Sequence, residues 1–66
     1  MLIDSCSING RRIEFREDED GGFSVHDFDP FDQSEVPSVW EFRDLDDAVS
    51  RYLDQRAAAR HWRTAL

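Results

Sequence analysis

The residues that could do chemistry are few, and each implies a definite geometry. Asp18, Asp20 and Gly21 resemble the middle of a calcium-binding loop. Placing Gly21 at the sixth loop position puts Arg16 at the first and Asp27 at the twelfth. A cation at the first ligand, and Asp where the loop needs a bidentate Glu, break that pattern. Zinc needs clustered thiolate and imidazole donors, whereas Cys6, His26 and His61 are singletons, with only Asp27 and Asp29 beside His26 as added oxygen ligands. Nucleophilic catalysis needs a Cys or Ser joined by a base and an orienting group. Neither a nucleophile elbow nor a glycine-rich phosphate loop occurs, and Cys6, in an apolar-flanked stretch, reads as a small core residue. Carboxylates abound, but acid–base work needs a pocket that splits their pKa values, and a chain of 66 residues rarely encloses one. The expectation is a protein that is not an enzyme and carries no cofactor or metal.

Charge is the stronger signal. The chain holds 15 acidic residues against eight arginines and no lysine, a net charge of −7. Residues 1–47 carry 14 of the acids and four arginines, a net of −10, and residues 48–66 carry one acid and four arginines, a net of +3. Eight acids fall between positions 17 and 35 with no arginine among them: Glu17, Asp18, Glu19, Asp20, Asp27, Asp29, Asp32 and Glu35. Such a segment sets up a strong local negative field that repels nucleic acid and attracts basic surfaces. Extended residues two apart lie roughly 6.6 Å apart on one side of a strand, a distance comparable to phosphate spacing along DNA. Acids at 18 and 20, or at 27 and 29, match it if the chain is extended there. A plain solubilising face is the other reading of the same residues.

These carboxylates must be positioned by a small α+β fold. Hydrophobic residues make up 39% of the chain, enough for one small core, and the length implies one domain, residues 1–66. No apolar run approaches the roughly 20 residues of a membrane span. No secretory signal is expected, and a single cysteine points to a reducing, cytoplasmic setting. Strands are predicted over 2–8, 11–17, 22–28 and 38–42. Asn9-Gly10 joins the first two as a tight hairpin, and Asp18-Glu19-Asp20-Gly21-Gly22 joins the second and third. In the third, Phe23 and Val25 share a face and Phe28 falls on the other, which a bulge near His26 or Asp27, or a strand ending at Val25, would reconcile. Residues 29–37, with Pro30 and Pro37, read as a loop.

A helix is predicted over about 45–64, capped by Asp44 with Asp46 and Asp47 in its first turn. Leu45, Ala48, Val49, Tyr52 and Leu53 form its apolar stripe. Continued at about 100° per residue, the stripe becomes Arg56, Arg60 and Arg63. Either the sheet ends there and the helix projects into water, or the basic stripe packs on acidic side chains of this chain or a partner. Trp62 sits at the stripe's edge.

Two resemblances follow. Over Ile13 to Gln55 the chain has a strand, the turn Asp18-Glu19-Asp20-Gly21-Gly22-Phe23, a strand, a loop and then Phe42-Arg43-Asp44-Leu45-Asp46-Asp47-Ala48-Val49. This resembles HicB-like antitoxin domains, with their Asp-Gly-Gly-aromatic hairpin and a helix opening acidic-acidic-Ala. That family's Pro-Asp-Leu-Pro-Gly-Cys-like segment is replaced here by Asp29-Pro30-Phe31-Asp32. In type, without a shared motif, the small acidic chain also resembles phage-encoded inhibitors, including anti-CRISPR proteins, several of which mimic DNA.

The resulting expectation is an antiparallel sheet of three to four strands packed against one C-terminal helix. The implied function is an acidic inhibitor that occupies a basic nucleic-acid-binding groove of a bacterial defence complex. Glu17, Asp18, Glu19, Asp20, Asp27, Asp29, Asp32 and Glu35 would meet its Lys and Arg, with Trp40 or Trp62 as an apolar anchor. It would bind neither nucleic acid nor membrane directly and act as a monomer. The alternative is an antitoxin-like or structural module that neutralises a small basic partner or pairs with itself through sheet edge and helix.

Overall fold

The structure, a computed structural model, describes residues 1–29 and 36–61. Four antiparallel strands, β1 (Leu2–Ile8), β2 (Arg11–Glu17), β3 (Phe23–Phe28) and β4 (Ser38–Phe42), form one sheet in sequence order. The helix α1 (Leu45–His61) covers one face. The α+β fold with a four-stranded sheet and one C-terminal helix is therefore as expected. Asn9 (φ 53°) and Gly10 (φ 84°) both adopt the left-handed backbone that a two-residue hairpin demands. The second turn closes through Asp18 N–H to the Gly22 carbonyl at 2.8 Å and Gly21 N–H to the Asp18 carbonyl at 3.0 Å, with Gly21 at φ 87°.

Side-chain alternation assigns the faces. Ile13 and Phe15 of β2 and Val25 of β3 point to the helix and are buried with Ala48, Tyr52 and Ala59. The expected irregularity in β3 is absent: β2 and β3 pair in continuous register from Arg12↔Phe28 to Glu17↔Phe23. Phe28 accordingly lies on the open face. There the His26 ring lies nearly parallel to it at 6.3 Å and the Arg12 guanidinium stands 4.5 Å from its centroid. The one register shift is in β1, between Leu2 and Asp4. It brings Asp4, Cys6 and Ile8 onto the helix face opposite Phe15, Ile13 and Arg11.

Regular alternation also places Asp27 on the helix face, where the core would take an apolar side chain. Asp27 is 3% exposed. It is compensated by bonds from Arg11 Nε (3.3 Å) and Nη2, and from Gln55 Nε2 at 2.8 Å on α1. Burying a carboxylate is tolerable only with such complete pairing.

The helix begins where its cap predicts. Asp44 Oδ1 accepts the Asp46 N–H at 3.1 Å, and the Asp44 carbonyl accepts the Ala48 N–H at 3.1 Å. Its buried line runs Ala48, Tyr52, Ala59, so Leu45 and Leu53, expected inside, are 47% and 53% exposed. The two alanines let the helix approach closely at both ends, with Tyr52 filling the middle against Phe15 at 5.7 Å. The helix does not leave the sheet after Leu53. Ala59 is fully buried, and Asn9 Nδ2 donates to the Ala59 and Arg60 carbonyls at 2.9 and 3.5 Å. Arg56 stays on the sheet side, its guanidinium 5.6 Å from the Tyr52 ring. Arg63 and Trp62 lie outside the described residues.

Candidate acidic docking surface

Chain order brings two acidic segments to one end of the sheet. In an up-and-down meander the β2–β3 turn and the end of β4 share an end, and Phe23 pairs with Phe42 there. The contact is close. A Cβ on Gly22 would sit 3.1 Å from the Phe42 carbonyl oxygen and 3.2 Å from Asp20 Oδ1, so glycine is what allows the turn to lie against β4. The helix starts immediately beyond, so Asp44, Asp46 and Asp47 join Asp18, Glu19, Asp20 and Glu41 at this end. A shallow cleft of about 310 Å³ runs between the two segments, lined by Asp18, Asp20, Gly21, Gly22, Glu41, Phe42 and Arg43. Arg43 is the cation at its rim, and the Met1 ammonium donates to the Glu17 carbonyl nearby at 2.6 Å.

Local bonds fix several of these carboxylates. Asp18 Oδ1 accepts the Ser24 hydroxyl at 3.1 Å, and Asp20 Oδ1 accepts the Gly22 N–H at 3.0 Å. Glu19, Asp20, Glu41, Asp44, Asp46 and Asp47 are exposed. The opposite end carries Arg11, Arg12, Arg56 and Arg60, because the Asn9-Gly10 hairpin and the helix C-terminus meet there. Among the described residues charge is thus polarised along the strands, with the negative pole at the β2–β3 turn and with Asp27 and Asp29 partly offsetting the arginines at the other end.

The acidic run read from sequence is thus divided. Glu17 and Asp18 are half-buried and Glu19 and Asp20 exposed, all at the negative pole. Asp27 is withdrawn from any docking face: its side chain is 2% exposed and already paired with Arg11. Asp29 is half-buried at the far end of β3, so the two pairs of acids do not form one row. Nor is the spacing extended, since residues 18–20 form a turn and Asp27 points inward. Asp32 and Glu35 lie outside the described residues. Trp40, offered as an exposed anchor, is half-buried on the helix side under Arg51, whose guanidinium is 5.1 Å from its ring. Glu41, Asp44, Asp46 and Asp47 do not stand out as one group in the sequence, because Asp44, Asp46 and Asp47 read as a helix start and Glu41 lies outside the acid-rich run. The meander order was the signal that would have placed them beside the turn.

Other chemistry is arranged differently. On the open face Ser24 sits between Asp18 (3.1 Å) and His26 Nε2 (3.0 Å). A hydrolytic triad needs the histidine in the middle, and Ser24 is 2% exposed. Cys6 packs on the helix side, and His26 lies on the opposite face of the sheet. Among the described residues no group of three or more His, Cys, Asp or Glu is arranged to hold a metal ion. No described helix is long and apolar enough to cross a membrane. No family model, curated protein or solved structure matches the chain.

Proposed function

We propose that this chain is an acidic protein–protein inhibitor of the anti-CRISPR type. As a DNA mimic, it lays its negative pole in a basic nucleic-acid-binding groove of a bacterial defence complex in the host cytoplasm. The observation that supports this reading is the convergence of the β2–β3 turn and the start of α1. It gathers Asp18, Glu19, Asp20, Glu41, Asp44, Asp46 and Asp47 on one end, with the arginines drawn mostly to the other. The mechanism needs no catalytic group. The dipole orients the molecule as it approaches a basic surface and speeds encounter. The body behind the pole then excludes nucleic acid sterically. Asp18 and Asp20, held by Ser24 and Gly22, meet the target pre-organised, which lowers the entropy lost on docking.

The test is capture from bacterial lysate on the immobilised protein at low and high salt, followed by elution with duplex DNA. The comparison variant combines Asp18→Asn, Asp20→Asn, Glu19→Lys and Glu41→Lys. The asparagines keep an acceptor oxygen for the turn, so the fold is preserved while the pole loses its charge. The expected result is a nucleic-acid-binding protein that DNA displaces and the variant fails to hold. Capture that is indifferent to DNA, capture of a small basic protein alone, or equal capture by the variant refutes the mimic.

A further inference from the structure

The outer edge of β1 is open to a further strand, and we infer that it takes an extended segment of a partner protein in which acidic and apolar residues alternate. β1 and β4 are the edges of the sheet. β4 is short, follows Pro37 and carries Glu41, features that protect an edge. β1 is seven residues long, and none of the seven is buried. Its bonds to β2 fix which backbone groups face out. The Met1 ammonium donates to the Glu17 carbonyl at 2.6 Å, and the Glu17 N–H donates to the Met1 carbonyl at 2.8 Å. At the other end the two-residue hairpin makes Ile8 and Arg11 a hydrogen-bonded pair. Bonded pairs alternate along antiparallel strands, so Asp4 and Cys6 bond inward as well. Ser5 and Ser7 therefore direct their N–H and C=O groups away from β2. Donors and acceptors in line, two residues apart, are what an added antiparallel strand requires.

The two faces beside this edge select the side chains of that strand. On the open face Ser7 lies opposite Arg12, and Ser5 lies opposite Glu14. Glu14 accepts from Arg12 Nε at 3.3 Å and from Arg16 Nη1 at 3.0 Å, so two guanidiniums share one carboxylate. The two arginine side chains are 56% and 43% exposed, and that of Glu14 is 12% exposed. The row thus presents positive charge outward, behind the short side chains of Ser5 and Ser7. A strand added at β1 would run about 10 Å from β2, two strand spacings. A glutamate and an arginine close that gap over a serine. An acid opposite Ser7 reaches Arg12, and an acid opposite Ser5 reaches Arg16 on the diagonal. On the helix face Cys6 and Ile8 are half-buried. The helix lies mainly over β2 and β3 and touches β1 least, so apolar side chains opposite Cys6 and Ile8 would extend the core there.

The chain as a whole is acidic, and the local row sets the sign. Arg12 stands five residues from Glu17, about 17 Å of strand, which is about two Debye lengths at physiological salt. A second copy fits the edge less well. Across a two-fold perpendicular to the sheet, its own β1 would bring Ser5 and Ser7 to the arginine row and no carboxylate.

The test is an amide NMR titration of the isotope-labelled protein with a capped heptapeptide, Val-Glu-Val-Glu-Val-Glu-Val, up to about 1 mM. The Ser5 and Ser7 amide protons are expected to move downfield and, at saturation, to exchange at least about fivefold more slowly. Amides of β4 are expected to stay in place. The counterpart with Lys for each Glu should bind at least about tenfold more weakly. Arg12→Gln combined with Arg16→Gln keeps donors for Glu14 and should abolish that preference. Ser7→Pro removes an outward donor and should weaken binding of the Glu peptide at least about tenfold. The wild-type titration reads the site without any variant. Unmoved Ser5 and Ser7 amides at about 1 mM peptide overturn the inference. So does equal or tighter binding of the Lys peptide. Shifts at Ser5 and Ser7 that follow the protein's own concentration without peptide overturn it in favour of a second copy. The inhibitor reading stands or falls separately, since the four-residue pole variant leaves β1, Arg12 and Arg16 unchanged.

Discussion

Replacing Asp27 with alanine removes one acceptor group from three donors at once: Arg11 Nε, Arg11 Nη2 and Gln55 Nε2. The Asp27 side chain is 2% exposed and that of Arg11 15%, so water does little to replace the lost bonds. Deleting one member of a buried ion pair costs about 3–5 kcal/mol. A chain of 66 residues has about 3–10 kcal/mol of total stability. The variant is therefore expected to sit at the limit of folding at 25 °C. Asp27→Asn keeps one carbonyl acceptor but turns an amide toward donors, and should lose about 2–3 kcal/mol. Gln55→Ala leaves the ion pair in place and should lose about 1.5 kcal/mol. Urea unfolding followed by tryptophan fluorescence reads these losses. With a slope of about 1 kcal/mol per molar urea for so small a domain, Asp27→Ala moves the midpoint down by about 3 M or abolishes the transition. A shift under about 1 M would refute the account of Asp27 as the bolt between β2, β3 and α1. It would also return Asp27 to the pool of carboxylates available to a partner.

Two further predictions concern the middle and the C-terminal end of the same helix–sheet interface. Burial first, then the Cys6 and Asp4 contacts, hold the Tyr52 hydroxyl well above its ordinary pKa of 10.0. The folded chain thus keeps a proton that the unfolded chain releases above pH 10, so stability present below pH 10 falls as pH rises, by about 1.4 kcal/mol per unit. Tyr52 is the one tyrosine and there is no lysine, so Tyr52→Phe should flatten the slope between about pH 10 and 12; an equally steep loss in that variant would assign it elsewhere. Asn9→Gly keeps a residue suited to φ 53° while deleting the bonds to the Ala59 and Arg60 carbonyls. It should cost about 1 kcal/mol and speed amide exchange in the last turn of α1 about fivefold, and unchanged exchange would show that the hairpin does not hold the helix end.

The elements are legible in the chain before it folds. Asn9-Gly10 and Asp18 to Gly22 specify turns through backbone conformations that few residues adopt. The alternation of Ile13 and Phe15 specifies a strand with one inward face. Asp44 and the following acids specify a helix start. All of these are local, set within a few residues by sterics and hydrogen bonding, and the order of the meander follows the tendency of consecutive strands to pair. Tertiary structure decided what faced what. Position 27 faces inward because β3 keeps its register, so an aspartate enters the core and Arg11, sixteen residues away, and Gln55, twenty-eight away, converge on it. The helix turns its alanines rather than Leu45 and Leu53 to the sheet, because close approach along the whole interface to Ala59 outweighs burying two leucines at its margins. The docking pole exists because segments about twenty residues apart meet at the same end of the sheet, with Gly22 small enough to let them touch. Charge counted along the chain located half of it; its other half required the pairing of Phe23 with Phe42, which carries Glu41 and the start of the helix beside the turn.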